Sequence, residues 1–352
     1  MSFLAINKVI IVGMSAGVPL HVDGNELGDT FVKAEDIALF ENSTGVKEKR
    51  LDPNLTTSDL SVPAVERLLQ DLRWEKQSID ALFFVSQTAD YILPATACIL
   101  QDRLGLSKEC YAMDISLGCS GWVYGLSSAA TLVSAGNGKS FKRALLIAGD
   151  AKGRVFQSDP LFGCASTVTA LEFNENAGDM YFHFGTDGSG YEAIIIPDGG
   201  ARNGISSSSF ENYEYDGRLY NRLQSRMSGI DVFSFAISTA PQSVRTLVEH
   251  FNIGLYDFDY YVFHQANKTI NSHIVRKLKI DSEKVPSSIE HFGNTSSASI
   301  PLTIVTQLKG QVENTHRKFL CCGFGVGLSW GSVAFETEDL VIPDLVELGE
   351  SE

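Results

Sequence analysis

Met113-Asp114-Ile115-Ser116-Leu117-Gly118-Cys119-Ser120-Gly121 reads as a strand that breaks at Gly118 and reopens as a helix running to about Ala135, with Gly136 as its stop. A cysteine at such a strand-to-helix turn meets unpaired backbone N–H groups and the positive end of the helix dipole, which favour thiolate over thiol. That is one way to make a nucleophile. A free cysteine in apolar surroundings also behaves as a small hydrophobe, so Cys119 alone reads either way and a partner has to decide.

Outward from this turn, runs rich in β-branched and aromatic residues at 9–12, 81–85, 111–115, 143–147, 260–263, 319–322 and 332–335 alternate with segments of helical spacing. The helical segments are 58–72, 95–104, 121–135, 231–251, 271–278 and 299–308. The alternation predicts an α/β protein with buried, largely parallel sheets. Asp80-Ala81-Leu82-Phe83-Phe84-Val85 and Asp259-Tyr260-Tyr261-Val262-Phe263 each lead into a loop and a helix. Leu145-Leu146-Ile147-Ala148-Gly149-Asp150 and Leu320-Cys321-Cys322-Gly323-Phe324-Gly325 likewise run into Gly-containing loops. A duplicated unit follows, with halves at 1–175 and 176–335 and loops from both meeting at one face. Residues 197–227, with Gly199-Gly200 and Tyr213, Tyr215 and Tyr220, lack regular pattern and read as a lid, an interface loop or a surface insertion.

The 352 residues are 44% hydrophobic and 20% charged, which excludes disordered, collagenous and disulfide-scaffold classes. A formal net charge of −15 opposes any chain-wide grip on nucleic acid or anionic lipid. The six cysteines show no C-x-x-C pair and no metal-ligand spacing, so a reduced, cytoplasmic protein with no metal site is expected. The apolar run 9–12 is far short of the ~20 residues a membrane span needs, so no membrane association is expected either.

Two residues downstream can partner the thiol. His264 ends the 260–263 run, where an imidazole can face a cleft, and Asn294 lies in Phe292-Gly293-Asn294-Thr295-Ser296 before a Ser/Ala-rich helix. Each alone also reads as an ordinary strand end or turn. Together, Cys119, His264 and Asn294 resemble the constellation of the 3-oxoacyl-acyl-carrier-protein synthase III family of the thiolase superfamily. The similarity lies in Gly118-Cys119-Ser120-Gly121-Trp122-Val123-Tyr124-Gly125-Leu126, in His264-Gln265-Ala266-Asn267, and in Gly293-Asn294-Thr295-Ser296-Ser297-Ala298-Ser299-Ile300-Pro301. It extends over nearly the whole chain to about Phe335.

The resemblance implies a thiolase-like five-layered αβαβα fold built from two similar halves, and a homodimer. It implies Cys119 as nucleophile for an acyl thioester, with backbone N–H groups of Cys119 and Val326 as oxyanion hole. An imidazole N–H of His264 and the Asn294 amide would then stabilise the enolate left when a malonyl thioester loses CO₂. The product would be a 3-oxoacyl thioester in fatty-acid or related acyl biosynthesis, and no cofactor beyond the acyl-coenzyme A or acyl-carrier-protein substrates is implied. Leu93 and Phe324 would bound the substrate pocket, and Lys268, Arg276 and Lys277 would form a basic strip for an acidic carrier protein.

The chain departs from the family pattern in places. Phe162-Gly163-Cys164-Ala165-Ser166-Thr167 replaces the usual Phe-Gly-Asp-Gly-Ala-Gly, Leu39 stands where many members have Trp, and Leu93 where many have Phe. A carrier-protein donor or a larger acyl group is therefore compatible with the sequence. The competing reading is a non-condensing acyltransferase that passes the Cys119 acyl group to an alcohol or amine. A 3-hydroxy-3-methylglutaryl-coenzyme A synthase would need a carboxylate after Val85, where Gln87 and Asp90 occur but no Glu. From Glu336 to Glu352 come seven acidic residues and no Lys or Arg, read as an acidic C-terminal extension that leaves −8 on the rest.

Overall fold

The computed structural model describes residues 2–24, 34–151, 160–215 and 218–349. Residues 216–217 of the irregular stretch and 350–352 of the acidic extension lie outside the described residues.

Two mixed sheets dominate. One has the order Val346–Leu348, Val9–Pro19, Ala165–Phe173, Arg143–Asp150, Ala81–Val85, Tyr111–Ile115. The other has the order Ser2–Ile6, Met180–Thr186, Ser329–Thr337, Arg317–Gly325, Tyr260–Phe263. Four consecutive strands of each repeat one pattern: two antiparallel pairings followed by one parallel pairing. The two sheets therefore share one topology. The sheets are less parallel than the apolar runs suggest, because Ala165–Phe173 and Ser329–Thr337 return antiparallel between neighbours.

Between the sheets lie the helices Gly121–Gly136 and Ser299–Gln307, each in contact with strands of both. Gly121–Gly136 buries Trp122, Val123, Leu126, Ala129, Ala130 and Val133 and is apolar nearly all round, as a helix enclosed on two sides must be. Outside the first sheet pack Thr57–Leu72 and Thr96–Arg103; outside the second, Gly229–His250 and Lys268–Leu278. The layers run helix, sheet, helix, sheet, helix. Three separate apolar clusters fill the central layer and the two flanks.

Two boundaries differ from the halves read in the sequence. Ser2–Ile6 pairs with Met180–Thr186, so the N-terminus belongs to the second sheet. The expected extension is built into the body as far as Gly349. Glu336 and Thr337 finish a strand, and Val346–Leu348 pairs in parallel with Gly17, Val18 and Pro19. Its acids meet cations of the body: Glu336 pairs with Lys318, Asp344 with Lys309, and Glu347 with Arg50 at 2.7 Å. The irregular stretch holds a short hairpin, Tyr213–Tyr215 with Arg218–Tyr220, and Arg226–Met227 pairs with Ile194–Ile195.

Asp114 couples the edge strand of the first sheet to the helix beside it. Its two carboxylate oxygens accept the Thr96 and Ala97 N–H groups at 2.7 Å each, supplying the cap that Ala95 cannot. Asp114→Ala is expected to cost about 1–3 kcal/mol, the range for orphaned helix N–H groups. Urea unfolding of the two proteins checks this, and an unchanged midpoint would refute the capping role.

Candidate active site

Three local devices bring the sequence-predicted residues to one place. The strand Tyr111–Ile115 ends, Gly118 turns, and Gly121 N–H bonds back to Gly118 O at 2.6 Å, so Cys119 sits one turn before the N-terminus of Gly121–Gly136. The turn is closely covered at Gly118: a methyl group there would meet Gln87 Oε1 and stand 2.8 Å from Val326 Cγ1, so both side chains would have to shift. Across from it, a methyl group on Gly325 would stand 2.8 Å from Cys119 Sγ. The Phe324–Val326 backbone therefore lies directly against the thiol.

His264 ends the strand Tyr260–Phe263 and is 2% exposed. Its N–H donates to Cys322 O, and Nδ1 lies 2.7 Å from Ser299 Oγ. Ser299 Oγ also accepts the Gln265 N–H at 3.3 Å. Phe324 stands edge-on to the imidazole, with centroids 5.5 Å apart. Asn267 Oδ1 accepts the Ile270 N–H and so starts the helix Lys268–Leu278, the local reason for the asparagine in His264-Gln265-Ala266-Asn267.

Asn294 is 5% exposed and held by its backbone, its N–H donating to Leu161 O and its carbonyl accepting from Gly163 N–H. Its Oδ1 accepts the Ser296 N–H at 2.9 Å, which fixes the amide orientation, and Nδ2 has only Ala266 O at 3.5 Å. The side chain therefore presents its N–H groups.

Cys119, His264, Asn294, Phe324 and Val326 line one cavity of about 390 Å³. The walls are largely apolar, from Leu161, Phe162, Ile194–Ile195, Met227, Val232, Phe233 and Ile270. Among the described residues lining it there is no Asp, Glu, Lys or Arg. No group of His, Cys, Asp and Glu able to hold a metal occurs among the described residues. No described helix is long and apolar enough to cross a membrane.

Four expected residues lie outside the cavity lining. Leu93 does not line the cavity of its own chain: it is 79% exposed beside Tyr91 and Ile92, on a loop that leaves the strand Ala81–Val85 outward. Lys268, Arg276 and Lys277 are all exposed, but they do not make one strip. At about 100° per residue, Arg276 lies roughly 80° from Lys268 and Lys277 roughly 180°. Lys277 Nζ accordingly reaches Ile237 O on the neighbouring helix.

The sequence reading passed over two supports. Asp150 is fully buried, and its Oδ1 accepts from Ser86 Oγ, Gln87 N–H and Thr88 Oγ1, which fixes the loop beside Gly118. An acidic residue closing an apolar strand was the available signal. Ser299, which holds the imidazole, carried none beyond its place in a Ser-rich motif.

A 3-oxoacyl-acyl-carrier-protein synthase III family model matches residues 113–188, and the model of that family's C-terminal part matches 248–337. A putative 3-oxoacyl-acyl-carrier-protein synthase 3 of Campylobacter jejuni is 32% identical, with 97% of each chain covered. The chain belongs to the 3-oxoacyl-acyl-carrier-protein synthase III family. Solved structures agree. A 3-oxoacyl-acyl-carrier-protein synthase of Burkholderia xenovorans superposes with TM-score 0.91 at 34% identity, covering 99% of each chain. The family's synthase III of Pseudomonas aeruginosa gives TM-score 0.82 at 28% identity, covering 95% of this chain and 100% of that one. The fold is thus thiolase-like, as the resemblance implied.

The six cysteines are all free thiols. Burial pushes the Cys322 thiol up to about 12 and holds its neighbour Cys321 well above the ordinary range, so both stay protonated and unreachable. Iodoacetamide applied to the native protein at about pH 8 is expected to alkylate Cys119 and exposed Cys98, leaving Cys164, Cys321 and Cys322 untouched until unfolding. Peptide mapping reads the pattern. Modification of Cys321 or Cys322 with Cys119 intact would contradict the site.

Proposed function

We propose that this enzyme is a decarboxylating condensing acyltransferase in which Cys119, His264 and Asn294 carry the reaction. The observation that supports it best is the pair of hydrogen-bond donors sharing the thiol's cavity, with no carboxylate among the described residues that line it. Ser299 Oγ already accepts the Gln265 N–H and can give its own proton to His264 Nδ1, which leaves the proton of the imidazole on Nε2. Asn294 presents Nδ2 because Ser296 occupies Oδ1. Two N–H donors suit the stabilisation of an enolate oxygen.

In the first step Cys119 Sγ attacks the acyl thioester carbonyl, helped by its place before the helix N-terminus. The oxyanion rests on the N–H groups of Cys119 and Val326, and the donor leaves as its thiolate. A malonyl thioester then enters and its C–CO₂ bond breaks. The electron pair passes into an enolate whose oxygen is held by His264 Nε2 and Asn294 Nδ2. The enolate carbon attacks the acyl-Cys119 carbonyl, the C–S bond to Cys119 breaks, and a 3-oxoacyl thioester departs. Phe324 walls the site beside His264. The donors we infer are acyl-coenzyme A or acyl-carrier protein, with malonyl-carrier protein as extender and no other cofactor.

An acidic carrier would dock on Lys268 and Arg276, which share a face of the helix beginning at the cavity wall. Six free thiols fit a reducing, cytoplasmic setting. We further infer a homodimer. The strand Tyr111–Ile115 ends its sheet with Tyr111 42% exposed, and Tyr91, Ile92 and Leu93, on the loop after its neighbour Ala81–Val85, are 63%, 96% and 79% exposed. Soluble proteins rarely leave such an edge and apolar tip uncovered, and a second copy would bring Leu93 to its partner's cavity. Sedimentation should give a dimer that Tyr91→Asp with Ile92→Asp weakens; a monomer for the parent chain would overturn this.

Intact mass after incubation with acyl-coenzyme A thioesters should show an acyl adduct that Cys119→Ala abolishes. With a malonyl thioester added, CO₂ and a 3-oxo product should appear. His264→Ala or Asn294→Ala should lower CO₂ release by about 10²–10³-fold, the usual loss for an oxyanion donor, and acylation far less. Acyl transfer to a hydroxyl without CO₂ would establish the non-condensing alternative.

A further inference from the structure

Two buried hydroxyls join the nucleophile turn to the loop that lies against it. Ser120 follows Cys119 and is 1% exposed; Ser329 opens the strand Ser329–Thr337 and is 3% exposed. Their Oγ atoms stand 2.7 Å apart. Ser329 Oγ also donates to Val326 O at 2.9 Å, so its proton is spent there and the proton between the two oxygens comes from Ser120. A relay therefore runs from the residue after the nucleophile, through Ser329, to the carbonyl of Val326.

Ser120 is not spent on the task its place suggests. It stands at the N-cap of Gly121–Gly136, where a serine side chain ordinarily accepts a helix N–H, yet it makes no such bond. Its hydroxyl instead crosses from the helix to the second sheet. What it reaches needs holding. Val326 lies between Gly325 and Gly327, the latter at φ +143°, so the chain there lacks the restraint that neighbouring side chains would give. Gly325 is anchored by its pairing with Ser329, and Val326 O by the Ser329 hydroxyl. The Val326 N–H sits in the peptide between these two anchors. The Val326 side chain packs over Gly118 as well, but apolar contact sets no direction, whereas hydrogen bonds do.

We propose that Ser120 and Ser329 are positioning residues for acyl transfer: together they hold the Val326 N–H at a fixed spacing from the Cys119 N–H, so that both meet one oxyanion. This rests on the reading of those two N–H groups as the oxyanion hole of an acylated Cys119. The two donors follow strands of different sheets, and a misplacement of about 1 Å at such a site costs up to about 10²-fold in rate. The step they serve is unchanged. The carbonyl carbon bonds to Cys119 Sγ as its C=O pair moves onto oxygen; the pair returns, the bond to the coenzyme A sulfur breaks, and the proton lost by Cys119 ends on coenzyme A. Neither hydroxyl meets substrate, since both serines are buried and neither lines the cavity.

The test sets two reactions of Cys119 side by side on the full chain. Acylation by acetyl- or butyryl-coenzyme A, read by intact mass, passes through an oxyanion; alkylation by iodoacetamide, read by peptide mapping, does not. Ser329→Ala should slow acylation by about 10- to 100-fold and leave alkylation within about twofold of the parent. Ser120→Ala removes one bond of the relay and should slow acylation by about fivefold, which keeps the test open where Ser329→Ala does not fold. The double variant should be no slower than Ser329→Ala, because Ser120 acts through Ser329 alone. Acylation unchanged in both single variants, alkylation slowed as much as acylation, or losses that multiply in the double variant would each overturn the proposal. Val326→Pro, which has no N–H, should slow acylation by about 10²–10³-fold. Undiminished acylation in that variant would instead refute the reading of Val326 on which the relay rests, and absence of any adduct on the parent's Cys119 would refute the reading of the nucleophile.

Discussion

Everything at the site depends on how closely two buried helices can approach the sheets that enclose them. A methyl group on Gly121 would stand 2.5 Å from Val85 Cγ1, and one on Gly125 would stand 2.6 Å from Leu146 Cδ1 and 2.7 Å from Val85 Cγ2. On the opposite sheet, a methyl group on Gly323 would stand 2.9 Å from Ser120 Cα. Such distances leave no room for side chains, so glycine sets the layer thickness on both faces of Gly121–Gly136. The pseudo-symmetric packing then brings the start of that helix and the start of Ser299–Gln307 to the same cavity. Cys119 precedes the one start, Asn294 the other, and His264 reaches across to Ser299 at the first residue of the second helix.

Close packing fixes positions; hydrogen bonds fix directions. Asn294 could offer oxygen or nitrogen to the cavity, and the Ser296 N–H decides for nitrogen. His264 could carry its proton on either ring atom, and the Ser299 hydroxyl, already accepting from Gln265, favours Nε2. Asp150 holds the loop that carries Gln87 by three donors to one oxygen. Donors oriented before substrate arrives need no reorganisation when charge develops, which is why the supporting shell matters as much as the three residues it serves.

The strands 81–85, 111–115 and 260–263 were legible to the residue because they are short, apolar or aromatic and bounded by turn residues. Ser2–Ile6, Ala165–Phe173 and Met180–Thr186 escaped for different reasons. The first is half-exposed, the second mixes Ser and Thr into a largely buried run, and the third is interrupted by His183, which is satisfied internally by Ser243. The cysteine, histidine and asparagine were readable because each sits at an element end with a marked local pattern. The basic strip misled because adjacency in sequence hides a 100° step on a helix: Lys277 follows Arg276 but faces another neighbour. Leu93 was expected at the pocket from the resemblance alone, and within this chain it stands outward on its loop, 79% exposed.

The absence of charge along the described cavity wall bears on the energetics of the proposed second step. The chain carries a net −15, yet none of its described acids lines the cavity, and several pair with Lys309, Lys318 and Arg50. A malonyl carboxylate entering this cavity loses water and gains no cation from the described lining. Burial of an unpaired carboxylate is costly, whereas CO₂ is neutral and leaves the negative charge on an enolate oxygen, where two N–H donors await it. The same apolar wall that makes the ground-state carboxylate unfavourable therefore favours the bond cleavage. A cation beside Asn294 would bind the malonyl group more tightly and slow its loss of CO₂, so the uncharged lining belongs to the chemistry as much as the donors do.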